Sequence, residues 1–223
     1  MTRGAPYAEL QCASHFSFLR GASSCEELFA QAQACGLEAL AITDRNSLAG
    51  VVRAHEAAKA TGVRLVVGCG LELADGATVL VFPIDRAAYS RLCRLLTLGK
   101  ARAGKGGCHL DWDDLAAHAE GLVAVLVPDA ADAVCRGRLR RVAGIFGADG
   151  HLALSLRRRP GDPLRLRRLA DMAAACAVRT VVTKTSCSIT PTGASSTTSS
   201  PASVKAAPST NWGSAARASP TVT

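Results

Sequence analysis

The sequence predicts an α/β domain over residues 6–183, followed by a disordered tail over 184–223. Three observations carry this expectation. Short apolar runs alternate with segments of helical periodicity up to about residue 183. Capping and turn residues separate them in register. At Lys184 the composition changes at once: no Leu, Asp or Glu occurs from there to Thr223, where Ser, Thr, Pro and Ala dominate. Such a segment cannot bury enough apolar surface to offset its chain entropy.

Taken in order, Tyr7–Ala13 reads as the first strand. Ser24 with Glu27 three residues on forms a capping box, opening a helix with Leu28, Ala32 and Cys35 on one face and Gly36 as its stop. Ala39–Thr43 is a short apolar strand ending at Asp44. Asn46 or Ser47 is expected to cap the next helix, which runs through Val51, Val52 and Ala58 to Gly62. A strand at Arg64–Gly68 precedes a hairpin around Asp75-Gly76, and a helix from Asp85 carries Leu92, Leu95 and Leu96. Beyond a Gly/Lys loop at Gly99–Gly107, further strands are expected at Leu122–Val127, Leu152–Leu156 and Thr180–Thr183.

With 223 residues, 48% of them apolar, the chain can bury a sizeable core. Its net charge of +8 points toward an acidic partner such as nucleic acid. None of the nine cysteines forms a CxxC pair, which argues against a zinc framework. Cys35, Cys69, Cys93, Cys135 and Cys176 stand singly in apolar stretches, as buried free thiols do in a reducing compartment. No apolar stretch is long enough to span a bilayer and no leader pattern opens the chain, so a cytoplasmic protein without membrane partners is expected.

Three stretches carry a family resemblance. Tyr7-Ala-Glu-Leu-Gln-Cys-Ala-Ser-His-Phe-Ser-Phe-Leu-Arg-Gly-Ala-Ser23 looks like the first strand and turn of the PHP (polymerase and histidinol phosphatase) domain of C-family DNA polymerases. Leu40-Ala-Ile-Thr-Asp-Arg-Asn-Ser-Leu-Ala-Gly50 resembles its second motif, and Tyr89-Ser-Arg-Leu-Cys-Arg-Leu-Leu-Thr-Leu-Gly-Lys100 a later helix. Arg-Gly-Ala-Ser after the first strand and Thr-Asp-Arg-Asn after the second point to the error-prone, damage-tolerance branch. The resemblance implies an incomplete PHP-type distorted β/α barrel, with chemistry at the carboxyl ends of the strands.

The departures from that pattern concern metal ligands. Where the family offers His-x-His on the first strand, this chain has Gln11 and Ala13. Where it reads Thr-Asp-His, this chain has Asp44 followed by Arg45, a permanent cation that repels a metal. Gly70 replaces the acidic ligand after the third strand, with Glu72 two residues later. Asp44 is therefore the surviving, vestigial ligand position, and no metal is expected. The competing reading of Asp44 is a strand-end residue that pairs with Arg45 or caps the next helix.

His15 could be offered as a replacement ligand, but a lone His after a strand is more often a surface residue. His55, His109, His118 and His151 are scattered without ligand spacing. Lys100, Arg102 and Lys105, among glycines, are candidate nucleic-acid contacts, and the Arg136–Arg141 and Arg157–Arg168 runs could act likewise. The alternative for each is a solvated charge, because no aromatics are interleaved with them.

The resemblance implies a PHP fragment of an error-prone polymerase, inactive by itself and without a catalytic residue or cofactor of its own. In the full-length family, Mg serves the polymerase domains, and DNA, the polymerase core and other translesion-synthesis proteins are the partners. The alternatives are a stand-alone metal-dependent phosphoesterase and a nucleic-acid-binding scaffold module.

The tail suggests a frameshift. The family segment here resembles Thr-Asn-Asp-Val-Leu-Phe-His, whereas this chain reads Thr183-Lys-Thr-Ser-Cys-Ser-Ile-Thr-Pro-Thr192. Inserting a single C into one coding string for the observed residues, ACC AAG ACG TCC TGT TCC ATC ACC CCG ACC, yields Thr-Asn-Asp-Val-Leu-Phe-His-His-Pro-Asp.

Overall fold

The computed structural model describes residues 7–184. Eight strands and six α-helices follow one another as β1 (Ala8–Glu9), α1 (Cys25–Ala34), β2 (Ala39–Ile42), α2 (Val51–Thr61), β3 (Arg64–Val67), β4 (Cys69–Glu72), β5 (Thr78–Pro83), α3 (Arg86–Ala103), α4 (Trp112–Ala117), β6 (Leu122–Val127), α5 (Ala133–Phe146), β7 (Gly150–Leu154), α6 (Asp162–Ala175) and β8 (Arg179–Val182). A parallel sheet is ordered β1-β2-β3 and a mixed sheet β4-β5-β6-β7-β8.

The two sheets are joined by one bent segment. β3 pairs with β2, and after Gly68 the chain continues as β4, which pairs antiparallel with β5. A Cβ on Gly68 would lie 2.7 Å from the Phe82 ring and 2.9 Å from Thr43 Cγ2, so only glycine lets the strand cross there. Past the bend, Gly70 N still donates to Asp44 O at 3.0 Å, which keeps β4 beside the end of β2.

Side-chain alternation then defines an inside and an outside. Leu80 and Phe82 of β5, Val125 of β6 and Ala153 of β7 meet Ala41 of β2 in one small interior cluster. Their neighbours Val79, Val81, Ala124, Leu126 and Leu152 face outward, into a larger cluster with α3, α4, α5 and α6. On the other side Leu28, Phe29, Ala32, Ala54 and Ala57 pack α1 and α2 against Leu40 and Ile42 of β2. The result is a narrow, distorted β/α barrel.

Its outer edges, β1 and β8, are linked through side chains. Thr183 Oγ1 donates to Gln11 Oε1 (3.2 Å), and the buried Glu9 carboxylate accepts from Lys184 N (3.2 Å), Gln11 N (2.9 Å) and Tyr7 OH (3.0 Å). Burial pushes the Glu9 carboxyl above its ordinary pKa, although these hydrogen bonds oppose the shift.

Several expectations hold in detail. Ser24 and Glu27 form the reciprocal capping box, Gly62 ends α2 in the left-handed conformation, and Asp85 caps α3 through Ala88 N. The turn between β4 and β5 holds Gly76 at φ +78°. Others are corrected. β1 stops at Glu9, because the chain from Ser14 turns into a loop fastened by side chains. α2 begins at Val51, with Gly50 as its N-cap and no side-chain cap; Asn46 adopts φ +47° and Ser47 turns back to Ala49 N. Its buried residues are Ala54 and Ala57, while Val52 is exposed.

Cys35 falls at the exposed C-cap of α1, whereas Cys69 and Cys135 are buried and Cys93 and Cys176 are half-buried. α3 continues through Ala103, so Lys100 and Arg102 are helical rather than in a loop. The expected disorder of residues 184–223 lies, apart from Lys184, outside the described residues, and no helix among those described is long and apolar enough to cross a membrane.

Candidate functional site

The carboxyl ends of β1, β2 and β4 converge beside a cleft of about 660 Å³, bounded on its far side by the end of α3 and the glycine-rich turn after it. Asp44, between β2 and the cleft-lining Arg45, does not itself line the cleft and is almost wholly buried. Its Oδ1 accepts from Ser14 N at 2.8 Å and Ser17 Oγ at 2.6 Å, and its Oδ2 accepts from Ser14 Oγ at 2.8 Å. Ser17 Oγ in turn accepts from Arg45 N at 2.9 Å. A Cβ on Gly50 would come within 2.8 Å of Asp44 Oδ2, so the N-terminus of α2 also lies against this carboxylate, on the side where the helix dipole favours negative charge.

Asp44 is thus an anchor for the loop that follows β1. Neither role weighed as its alternative applies. Arg45 turns away and pairs with Glu72 at 2.5 Å, and α2 is capped by Gly50. Arg20 reaches the same Glu72 at 3.5 Å. Asn46 Oδ1 accepts from Glu72 N at 3.0 Å and Asn46 N donates to Gly70 O at 2.9 Å, fixing the turn that aims Arg45 at Glu72. Gly70 itself is bridged to Arg45 through the backbone.

The residues at the expected ligand positions are a poor donor set. Gln11 spends its amide oxygen on Thr183, Ala13 has no donor atom, and the Arg45 guanidinium occupies the mouth of the site. Cys69 lies beneath, its thiol donating to Asp44 O at 3.4 Å, and burial pushes its pKa up to about 12, which disfavours a thiolate ligand. No group of three or more His, Cys, Asp or Glu side chains with metal-holding geometry occurs among the described residues. His15 lies on the exposed loop against the Phe16 ring, at a centroid distance of 4.5 Å. His118 and His151 contact nearby backbone carbonyls elsewhere, at Asp114 and Asp149.

Of the candidate nucleic-acid contacts, Lys100 and Lys105 line the cleft together with Arg45. Arg102 does not. It is bound to Asp114 at 2.5 Å, and that pairing, against the opposing effect of burial, holds the Asp114 carboxyl below its ordinary pKa. Four arginines of the later runs are also committed: Arg138 to Asp75, Arg141 over the Trp112 ring, Arg157 to the 128–129 backbone and Arg165 to Asp162.

The profile of the PHP domain matches residues 9–180, most of the chain and every element from the end of β1 to the start of β8. The chain belongs to the PHP domain family. Within it, this PHP domain is 61% identical over 177 residues to error-prone DNA polymerase 1 of Agrobacterium fabrum and 60% identical over the same length to error-prone DNA polymerase 2 of Rhizobium meliloti. In both cases the match covers 79% of this chain and 16% of the polymerase, so the chain spans about one sixth of the length of these relatives. The crystal structure of a protein assigned as a metal-dependent phosphoesterase from Bifidobacterium adolescentis has the same fold, with a TM-score of 0.62, 18% identity, and coverage of 85% of this chain and 91% of that one.

The sequence singled out Asp44, Arg45 and Gly70 as ligand positions of one site and, separately, Lys100, Arg102 and Lys105 as nucleic-acid candidates; the structure brings Lys100 and Lys105 into one cleft lining with Arg45. The sequence reading missed Ser14 and Ser17 as the partners of Asp44, and it noted Glu72 only for its place two residues after Gly70, not as the partner of Arg45. A cluster of small hydroxyls after a strand gives little signal in one dimension.

Proposed function

We propose that this chain is the PHP portion of an error-prone DNA polymerase and serves it as a non-hydrolytic structural platform. The observation that carries this reading is the Arg45–Glu72 ion pair, closed across the strand ends where a PHP metal would have to sit, in a chain about 60% identical to error-prone polymerases. A cation held there by a carboxylate supplies locally the positive charge that a metal would bring. DNA synthesis, tolerance of DNA damage, a cytoplasmic location and the partners of the whole polymerase come to this chain only through that kinship. The Mg such synthesis needs would be held by segments other than this domain.

The second reading, a phosphoesterase, is favoured by the open cleft and by the fold shared with the Bifidobacterium protein. Elemental analysis after loading with Zn or Mn separates the two. Well under one tightly held ion per chain is expected, together with no hydrolysis of a phosphoester such as p-nitrophenyl phosphate. Two or more retained ions with turnover would establish the phosphoesterase.

Residues 184–223, of which only Lys184 is among the described residues, follow the end of the family match at 180. We propose that they are read in a shifted frame, with the domain boundary at 183. Resequencing the gene around the codons for Thr183 and Lys184 tests this. A single missing base, with polymerase-like sequence downstream in the restored frame, is expected; an intact frame without such sequence would overturn it.

A further inference from the structure

The loop between Ser14 and Ser23 is held unusually tightly for one that carries its apolar side chains outward. Besides the three bonds to Asp44, His15 N donates to Ser23 O (2.9 Å), Ser17 N to Ser14 O (2.9 Å), Arg20 N to Ser17 O (2.8 Å) and Gly21 N to Ser17 O (3.0 Å). Leu19 is nevertheless held at φ +61°, a region that non-glycine residues rarely enter. The product of this constraint is a fixed aromatic rim. Phe16 and Phe18 both line the cleft, and Phe18 is 82% exposed. An aromatic presented to solvent at the mouth of a cavity from a hydrogen-bonded loop is a surface suited to a partner.

The opposite wall is cationic. Lys100, in the last turn of α3, and Lys105, in the turn that follows, have no ion-pair partner among the described residues. The charged side chains lining the cleft are Arg45, Lys100 and Lys105 against Glu72 alone, three cations to one carboxylate. Asp44 does not alter that balance at the surface, since it is buried and its oxygens are engaged by Ser14 and Ser17.

We propose that this cleft binds single-stranded nucleic acid, with a base stacked on Phe18 and adjoining phosphates held by Lys100, Lys105 and Arg45. Aromatic faces beside a cationic groove are what a single strand requires, because every base offers a π face and every linkage a negative charge. The aromatics absent from the basic runs in sequence are supplied in space by the loop after β1. A duplex is disfavoured: its bases are already stacked, and a cavity of about 660 Å³ admits a nucleotide or two rather than a helix. A protein partner is also disfavoured, because the core of a protein interface is depleted in the charges that crowd here. The site differs from a metallo-phosphoesterase subsite in holding phosphate with side-chain cations alone, and it stands whether or not the chain is part of a polymerase.

The test is fluorescence anisotropy of the full chain with a short labelled oligothymidylate, over a range of salt. Phe18→Ala is expected to weaken binding by about ten-fold with an unchanged salt slope, since a stacking face is removed and no charge. Lys100→Ala combined with Lys105→Ala should instead flatten the slope by about 1.4, two phosphate contacts' worth on a single strand. Arg167→Ala with Arg168→Ala, on α6 and away from the cleft, is the charge-matched control and should change neither affinity nor competition. A duplex of equal length, or thymidine triphosphate, should compete weakly. The proposal is overturned if Phe18→Ala binds like the parent, if the α6 pair accounts for the loss, or if duplex or triphosphate competes as well as the strand. A polymerase fragment that Phe18→Ala releases, with oligonucleotide binding intact, would assign the rim to protein docking and overturn it equally. Metal content is measured separately, so this result and that of the metal assay do not depend on each other.

Discussion

Replacing Asp44 with alanine is expected to destabilise the domain by about 3 kcal/mol or more, a large share of the 5–15 kcal/mol typical of a folded domain. The carboxylate is the common acceptor for Ser14 N, Ser14 Oγ and Ser17 Oγ, all in buried surroundings. Alanine leaves three donors unsatisfied, and hydrogen bonds to a charged acceptor are each worth about 1.5–3 kcal/mol before the loop relaxes toward water. Asp44→Asn is the informative companion. Its retained oxygen can still accept from Ser14 N and Ser17 Oγ, while its amide can donate to Ser14 Oγ, whose proton is free to rotate. That variant should cost only about 1 kcal/mol. Urea unfolding checks both, the alanine midpoint dropping by about 1–2 M for a slope typical of this size. If Asp44→Ala melts with the parent, the carboxylate is no anchor, and a vestigial ligand position without structural duty becomes the better description.

The second large effect is expected at Gly21. A Cβ there would lie 2.1 Å from Ser14 O and 2.5 Å from Ser14 C, both backbone atoms that no rotamer change can move. Gly21→Ala must therefore push the loop off the end of β1, stretching the bonds that Ser14 and Ser17 make to Asp44. A cost of about 2–3 kcal/mol follows, together with faster hydrogen exchange at residues 15–21. Gly36→Ala makes the fitting contrast. Gly36 has φ +68° but nothing within 4 Å of its would-be Cβ, so only the backbone preference is lost, about 1 kcal/mol. Equal losses at the two positions would mean that the close approach at Gly21 is relieved without cost, and that the rim carrying Phe18 is less constrained than the loop's hydrogen bonds imply.

Much of this domain was legible in one dimension because its signals are local. The Ser24–Glu27 box, Asp85 ahead of α3, Gly62 after α2 and the Asp75-Gly76 turn each specify a boundary through atoms a few residues apart. The apolar runs of β2, β5 and β6 announce strands covered on both faces. The three motif stretches at 7–23, 40–50 and 89–100 together pointed to the family, and the residues at positions 11, 13 and 45 were enough to cast doubt on a metal.

What the sequence left open depends on contacts across long separations. Whether Arg45 would pair with Asp44 beside it or with Glu72 was decided by the bend at Gly68 and the Asn46 turn, which bring β4 alongside the end of β2. The start of α2 was misplaced because Asn46 and Ser47, both good capping residues, are used in that turn. Lys100 and Arg102 are two residues apart and chemically alike, yet one faces the cleft and the other is tied to Asp114, because two positions along a helix is about half a turn. The aromatic wall facing Lys100 comes from a loop more than eighty residues earlier in the chain. Local hydrogen bonding and hydrophobic periodicity are written in neighbouring residues; the pairing of charges and the walls of a cleft exist only once the barrel has closed and distant strand ends share one rim.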